Sequence, residues 1–433
     1  MTTDIVEPMT GTSTDPLEMV IREARRLQRR HRRRRFRVGL IALAVLVIIA
    51  AALVAIGRAT TPASKATGAP RTKVGADTVS SAVFAPFYFP PSQNLQFVSA
   101  HDGWLIDPSV EDRILGTVNG GRSWSTNYLS SVSAKTNKGG IVSIDFVNTS
   151  DGWALLYGEG LISTTDGGRS WSAAREPVQG SVMAYTFTGP SDGWVLTSKG
   201  VLLHTVNNMK TWLTVTTPAA GTSLCSTPSG SLWLGESNSG NVYSSSKGGS
   251  WKLSLSGSRV PAAGNVPQRK PAPWISCSGA SAWLLYNWGE SAGSMAYAVE
   301  RTLNGGKRWK AVVSDEVKPA VPADTAGVFA TVENFGSTGK TSAWILGYCG
   351  PCTTGSATVA TTKNATTFAD TTLPIAESVH ATPVGVTFRG PKDGWAILQE
   401  SPSSATAPTL KIVVVDTTDG GTIWKVADPN LNP

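Results

Sequence analysis

The stretch ISTTDGGRSW, residues 162–171, decides how this chain folds, because the chain writes it again. TVNGGRSW stands at 117–124 and TTDGGTIW at 417–424. The pattern is Ser/Thr, any, Asp/Asn, any, Gly, any, Ser/Thr, Trp. Looser copies TVNNMKTW (205–212), SSSKGGSW (244–251), TLNGGKRW (302–309) and TTKNATTF (361–368) bring the number to seven. Three of these are degraded. Met209 stands for Gly in the third copy, Ser246 for Asp in the fourth, and Lys363 for Asp with Phe368 for Trp in the sixth.

A second element precedes each copy. It reads FVSAHDGW to Trp104, FVNTSDGW to Trp153, FTGPSDGW to Trp194 and FRGPKDGW to Trp395, with weaker forms ending at Trp233, Trp283 and Trp344. The two elements alternate seven times, and thirteen of the fifteen Trp lie in them; only Trp274 and Trp288 do not. Each unit therefore predicts four short strands. A run such as SIDFV makes the first, GWALL the second and GLIST the third, and the residues after the box make the fourth. Between the third and fourth strands, the Asp or Asn accepts hydrogen bonds from amides that follow it, and the Gly permits positive φ. The Trp packs back under the turn as a large apolar payload. On this reading Asn119, Asp166, Asn207, Asn304 and Asp419 are turn residues rather than catalytic ones. A thin sheet of this size cannot bury both faces alone, so it stacks on the next unit. Seven such sheets closed in a ring form a propeller.

The box resembles the Asp-box, or BNR, repeat of sialidase-like propellers. The F…DGW element is similar to the propellers of photosystem II assembly and stability factors and their bacterial relatives. The resemblance covers roughly residues 92–427 and implies an all-β, seven-bladed propeller. Its functional implication is broader, since the repeat occurs in hydrolases, receptors and assembly factors alike. Sialidases of this architecture clamp a carboxylate with three Arg beside a Tyr–Glu nucleophile pair. This chain has Arg outside the boxes at 113, 175, 259, 269, 301 and 389, but no Arg-Ile-Pro near the start of the repeats. No Ser–His–Asp motif and no metal-ligand cluster stand out, so no catalytic residue, cofactor or metal is assigned.

Seven identical copies would leave no place for specificity, and the spacing shows where they differ. From the Gly-Trp tryptophan to the end of the box, copies one to four use 20, 18, 18 and 18 residues, whereas copies five to seven use 26, 24 and 29. The added residues fall between the second and third strands, at 286–297, 347–357 and 399–409. Loops on a rigid scaffold concentrate binding residues. This face of the last three units is the expected partner site, with Arg269, Trp274, Tyr286 and Trp288 as candidate anchors.

Four Cys remain. Cys225 and Cys277 occupy matching first-strand positions of units four and five, where a disulfide would staple neighbours. Cys349-Gly-Pro-Cys352 matches a thioredoxin tetrapeptide, but a strand-like TTGSATVATT follows instead of the helix that redox chemistry requires, so a small structural disulfide is expected.

The N-terminus speaks of location. Val38–Gly57 is an uncharged apolar run of twenty residues, long enough as a helix to span a bilayer core of about 30 Å. Residues 1–37 carry ten Arg and five acids, +5 of the total net charge of +8. The positive-inside rule then places 1–37 in the cytoplasm and the rest outside. A cleaved signal peptide would have a shorter apolar region and an earlier start. The small, polar, Pro-containing residues 58–81 form a spacer, and 82–433 the propeller. An apolar AVFAPFYF (82–89) is a candidate strand for closing the ring. Beyond residue 37 the net charge is only +3, which does not indicate a nucleic-acid-binding body. The expectation is a single-pass cell-membrane protein whose extracytoplasmic propeller binds a membrane or envelope protein as scaffold, assembly factor or sensor. The alternative is a surface protein that binds or hydrolyses glycans.

Overall fold

A computed structural model describes residues 93–108, 112–129, 140–173, 180–260, 271, 273–291, 294–313, 331–348, 357–374, 379–402 and 411–428. It holds seven four-stranded antiparallel sheets, each built from four strands consecutive in sequence. These are the blades. Their first strands are Leu95–Phe97, Ile141–Phe146, Val182–Phe187, Gly221–Ser226, Trp274–Ser278, Thr331–Ser337 and Val379–Phe388. The basic tail 1–37, the apolar run 38–57, the spacer 58–81 and the strand candidate 82–89 lie outside the described residues. No helix among the described residues is long and apolar enough to cross a membrane.

Seven hydrophobic clusters hold the ring, and each draws on two adjacent blades. The F…DGW element explains the seams. The Phe of the first strand pairs in register with the Gly before Trp, as Phe146 does with Gly152. A Cβ at that Gly would overlap the Phe ring in blades 1, 2, 3 and 7. The missing side chain makes room for the ring, and in blades 1, 2 and 3 the Trp of the preceding blade stacks on it, whereas at blade 7 Trp344 meets Phe388 tilted by 40° at 5.2 Å. Trp104 covers Phe146 at 3.6 Å between centroids and Trp153 covers Phe187 at the same distance. Trp395 covers Phe97 at 4.0 Å, which joins the last blade to the first. The tryptophan N–H groups cross the same seams. Trp104 donates to the Gly167 carbonyl (2.9 Å) and Trp395 to that of Gly120 (3.2 Å). Among the described residues the ring closes through side chains, with no strand shared between the first and last sheets.

Blades 4, 5 and 6 use another solution. There the paired positions are Ser226 with Leu232, Cys277 with Ala282 and Ser337 with Ala343. Small residues replace Phe, and residues bearing a Cβ replace Gly. Cys277 bonds to Cys225 across the seam of blades 4 and 5, with the Cα atoms 6.1 Å apart. The disulfide stands where the aromatic stack is lost. Cys349 and Cys352 lie outside the described residues.

The box turns share one hydrogen-bond pattern. In the five full-length turns, and again in the sixth from Thr362 to Asn364, the first-position Thr hydroxyl donates to the Asp or Asn side chain; Thr164 to Asp166 measures 2.8 Å. In the full-length turns that same carboxylate or amide oxygen accepts the amide four residues on, as Asp166 does from Ser170 at 2.9 Å. The third copy replaces both turn glycines, so Asn208 and Met209 sit at φ 53 and 61°. Met209 offsets that strain by burying its side chain against the blade 2–3 seam. Copies four and six contradict the eight-residue alignment. Register makes Ser245 and Thr362 the counterparts of the first Thr, because they pair with Leu232 and Ala343 just before the blade Trp. Both turns are therefore one residue shorter. In the sixth, Asn364 and not Lys363 takes the Asp role, accepting the amides of Thr366 and Thr367. All seven turns leave their sheets at this one register, so they form one face.

Two outcomes are expected. Gly152→Ala costs about 1–3 kcal/mol in urea unfolding, and much less in a Phe146→Ser background, where the ring it strikes is gone. Equal costs in both backgrounds refute the coupling. Cys277→Ser costs about 2–4 kcal/mol, with faster amide exchange concentrated in the first strands of blades 4 and 5.

Candidate functional site

The lengthened region of blade 5 is strand rather than loop. Ser281–Ser291 and Ser294–Thr302 run to eleven and nine residues and pair as far as Ser291 with Ser294. Their register shifts between Asn287 and Glu290, a bulge that bends the hairpin. In blade 7 it is the first and second strands that lengthen. Val379–Phe388 and Gly394–Pro402 pair from Phe388 with Gly394 out to Val379 with Pro402. Much of the added sequence thus becomes hairpin that carries the sheets onward, on the face opposite the box turns.

The candidate anchors separate. Tyr286 is fully buried, and its hydroxyl donates to the Gly240 carbonyl at 2.8 Å. It is a core residue of the blade 4–5 seam and not a surface anchor. Burial, and then the Glu300 charge, push its phenol pKa far up. Trp288 is half-buried, packed on that same cluster and stacked beside Tyr286 at 6.0 Å. Trp274 is half-buried against the blade 5–6 cluster. Strand alternation explains the split: Leu284 and Tyr286 face blade 4, while Trp283 and Leu285 face blade 6. Trp274 and Trp288 therefore flank opposite sides of one sheet. Arg269 lies outside the described residues.

The channel carries a second site that residue spacing did not flag. A cavity of about 270 Å³ is lined by all seven first strands. Its polar groups include Gln93, Gln96, Ser143, Asn334 and Thr387, all neutral. The residue one before the Phe position reaches across to the next blade. Gln96 exchanges two hydrogen bonds with the Phe146 backbone (2.6 and 2.9 Å). Asp145 accepts from the Phe187 amide at 3.2 Å, Thr186 bonds Ser226 at 3.2 Å, and Ser276 accepts from the Ser337 amide at 2.9 Å. Cys225 holds this place in blade 4. Much of the wall's polar chemistry is therefore spent on the seams. In blades 1 to 3 the signal was in the sequence as the letter before Phe, but in blades 4 and 5 Ser226 and Cys277 replace that Phe, and the five identities share no property except reach.

Carboxyl groups divide into two environments. Hydrogen bonds from Ser170, first its hydroxyl and then its amide, hold Asp166 down to about 2. The Ile423 amide lowers Asp419. Burial raises Asp145 to about 6 and Glu300 to about 7. Asp145 is half-buried as a residue, and its carboxyl is enclosed. Among the described residues, no group of three or more His, Cys, Asp or Glu is placed to hold a metal ion.

Residues 91–284 match the family model described as Photosynthesis system II assembly factor YCF48. That stretch covers blades 1 to 4 and the start of blade 5, and stops where the long hairpin begins. No curated protein matches the chain. Among solved structures, YCF48 bound to D1 peptide is similar at 18% identity, covering 72% of this chain and 92% of that one, with a TM-score of 0.48. YCF48 from Cyanidioschyzon merolae is similar at 16%, covering 71% and 94%, with a TM-score of 0.47. An ancestral GH74 enzyme is similar at 15%, covering 80% of this chain and 56% of that one, with a TM-score of 0.45.

Asp145 yields a pH prediction. A carboxyl whose folded pKa is raised binds its proton more tightly folded than unfolded, so its stabilising effect is present at low pH and lost as pH rises from about 4 to 6. Asp145→Asn, which keeps the acceptor for Phe187, raises stability at pH 7.5 by about 1–2 kcal/mol, discounted for the partial exposure of the residue. Below pH 4 the two proteins melt together. A destabilised Asn variant at pH 7.5 contradicts the assignment.

Proposed function

We propose that this chain is a membrane-tethered, protein-binding propeller, working outside the cytoplasm as a scaffold, assembly factor or sensor. One observation carries the reading. The first four blades match an assembly-factor family, and the match ends where this chain departs from regular blades. The shared portion supplies the framework, and the extended hairpins of blades 5 and 7 supply the specificity. Trp288, half-buried and outside the repeat pattern, is the anchor on the blade 5 hairpin. Tethering rests on the apolar run 38–57 behind its Arg-rich start. The inter-blade disulfide supports a compartment outside the reducing cytoplasm.

The neutral, hydroxyl- and amide-lined channel favours one second reading, that the propeller binds a neutral glycan there. Glycan-array binding lost on filling the channel with Ser143→Phe would support it.

The decisive comparison is affinity capture from native membranes. The wild-type chain is run against a variant in which residues 290–295 are replaced by Asn-Gly, shortening the blade 5 hairpin at its tip. A protein retained in near-equal amount by the first and lost by the second is expected. Equal retention by both rejects the hairpin. Retention by neither removes the scaffold reading.

A further inference from the structure

The face opposite the hairpins has a composition that turn formation does not require. Each box fixes its first and third residues by hydrogen bonds; Arg122 and Arg169 also donate to carbonyls of their own turns and Lys363 to the next, but copies without such a bond form the same turn, so a cation is not required there. In blades 1 to 6 the turn carries an exposed cation: Arg122, Arg169, Lys210, Lys247, Lys307 and Lys363. In the two shortened turns the cation has moved, to Lys247 and Lys363, and is still present. Arg308, Lys340, Arg389 and Lys392 add four more exposed cations from the turns on this face.

Six carboxylates share the face, and each is occupied locally. Asp102 accepts from Ser99, Asp151 from Asn148, and Asp192 contacts His204. Asp166 and Asp419 hold their own turns, and Asp393 pairs with Arg389. Among the described residues, Arg389 is the only one of the ten cations in an ion pair with a carboxylate. Residues 93–433 hold 24 basic and 24 acidic side chains, so the propeller is neutral overall, while this face sets its ten cations against six carboxylates, a net +4.

The same turns expose aliphatic side chains. Val118, Val206 and Leu303, each at the second box position, are 76%, 66% and 43% exposed, and Ile423 is 59% exposed. A turn position open to water has no folding reason to be Val or Leu.

We infer that this face docks on an anionic lipid surface. The occupant follows from shape as well as charge. The turns leave the ring at one level, and the cations run round the whole circumference rather than forming a patch. That layout matches a plane of phosphate headgroups, with the aliphatic tips entering the interface between them. The chain enters blade 1 at Gln93 on the opposite face. Residues 58–92, extended at 3.3–3.6 Å each, span roughly 120 Å, ample to pass round the rim. This surface is distinct from the hairpins, and either proposal can fail without the other.

The test is hydrogen–deuterium exchange on the full chain reconstituted in phosphatidylcholine vesicles, with and without phosphatidylglycerol. Phosphatidylglycerol is expected to slow exchange in the turns at 118–124, 206–212 and 303–309 about tenfold, and ~1 M salt to reverse it. The variant Arg122→Gln/Arg169→Gln/Lys210→Gln/Lys307→Gln loses the protection with an unchanged melting temperature. Val118→Ser/Leu303→Ser weakens it with the charge intact, and Arg259→Gln has no effect. Equal exchange in both vesicle types overturns the proposal. Equal protection by soluble poly-L-glutamate does so too, because it assigns the face to an acidic polypeptide.

Discussion

A flat Phe ring lying over a residue with no side chain is the contact on which the ring depends. The Gly of each Gly-Trp pair leaves room for Phe from the neighbouring strand of its own blade, and the Phe offers its free side to the Trp of the blade before. One position thus couples packing within a blade to packing between blades. It also explains why Phe and Gly change together. In blade 4 the large residue moves to the other member of the pair, Leu232 opposite Ser226, and in blades 5 and 6 both members are small, so the stacking surface disappears from all three.

The seams that lose the stack are held by different means. Blades 4 and 5 share a disulfide, blades 5 and 6 the Ser276–Ser337 contacts, and blades 3 and 4 the Thr186–Ser226 bond. In the last case Trp194 turns back to stack on His204 of its own blade at 3.8 Å. The irregular half of the ring is also where hairpins lengthen and where the family match ends. A framework with redundant seam contacts tolerates exchange of one kind for another, and that tolerance gives part of the ring freedom to diverge.

Blade number, strand order and the hydrogen-bonding role of the box Asp and Asn were all legible in the sequence, because each repeats. What did not repeat was misplaced. Ser246 and Lys363 were set opposite the box Asp because gapless alignment hides a one-residue deletion; only the pairing of Ser245 and Thr362 reveals it. Tyr286 looked like an anchor because it sits beside Trp288 in an added segment. The strand simply continues through it, and alternation sends its ring into the seam. The residues that bridge the first strands across the seams were invisible for another reason. Gln96, Asp145, Thr186, Cys225 and Ser276 do one job with five chemistries, and position in space rather than residue type defines them.

Each sheet begins and ends within its own blade, and the last seam is packed by the same Trp-on-Phe stack as the two seams that follow it. The gap between blades 7 and 1 is therefore special only in lacking a peptide connection. Nicking the chain in another inter-blade link and joining Asp428 to Gln93 would leave every sheet intact. Such a ring can be circularly permuted, and it can gain or lose a whole blade by duplication or deletion without unpairing a strand. Its present starting point is a matter of ancestry rather than of architecture.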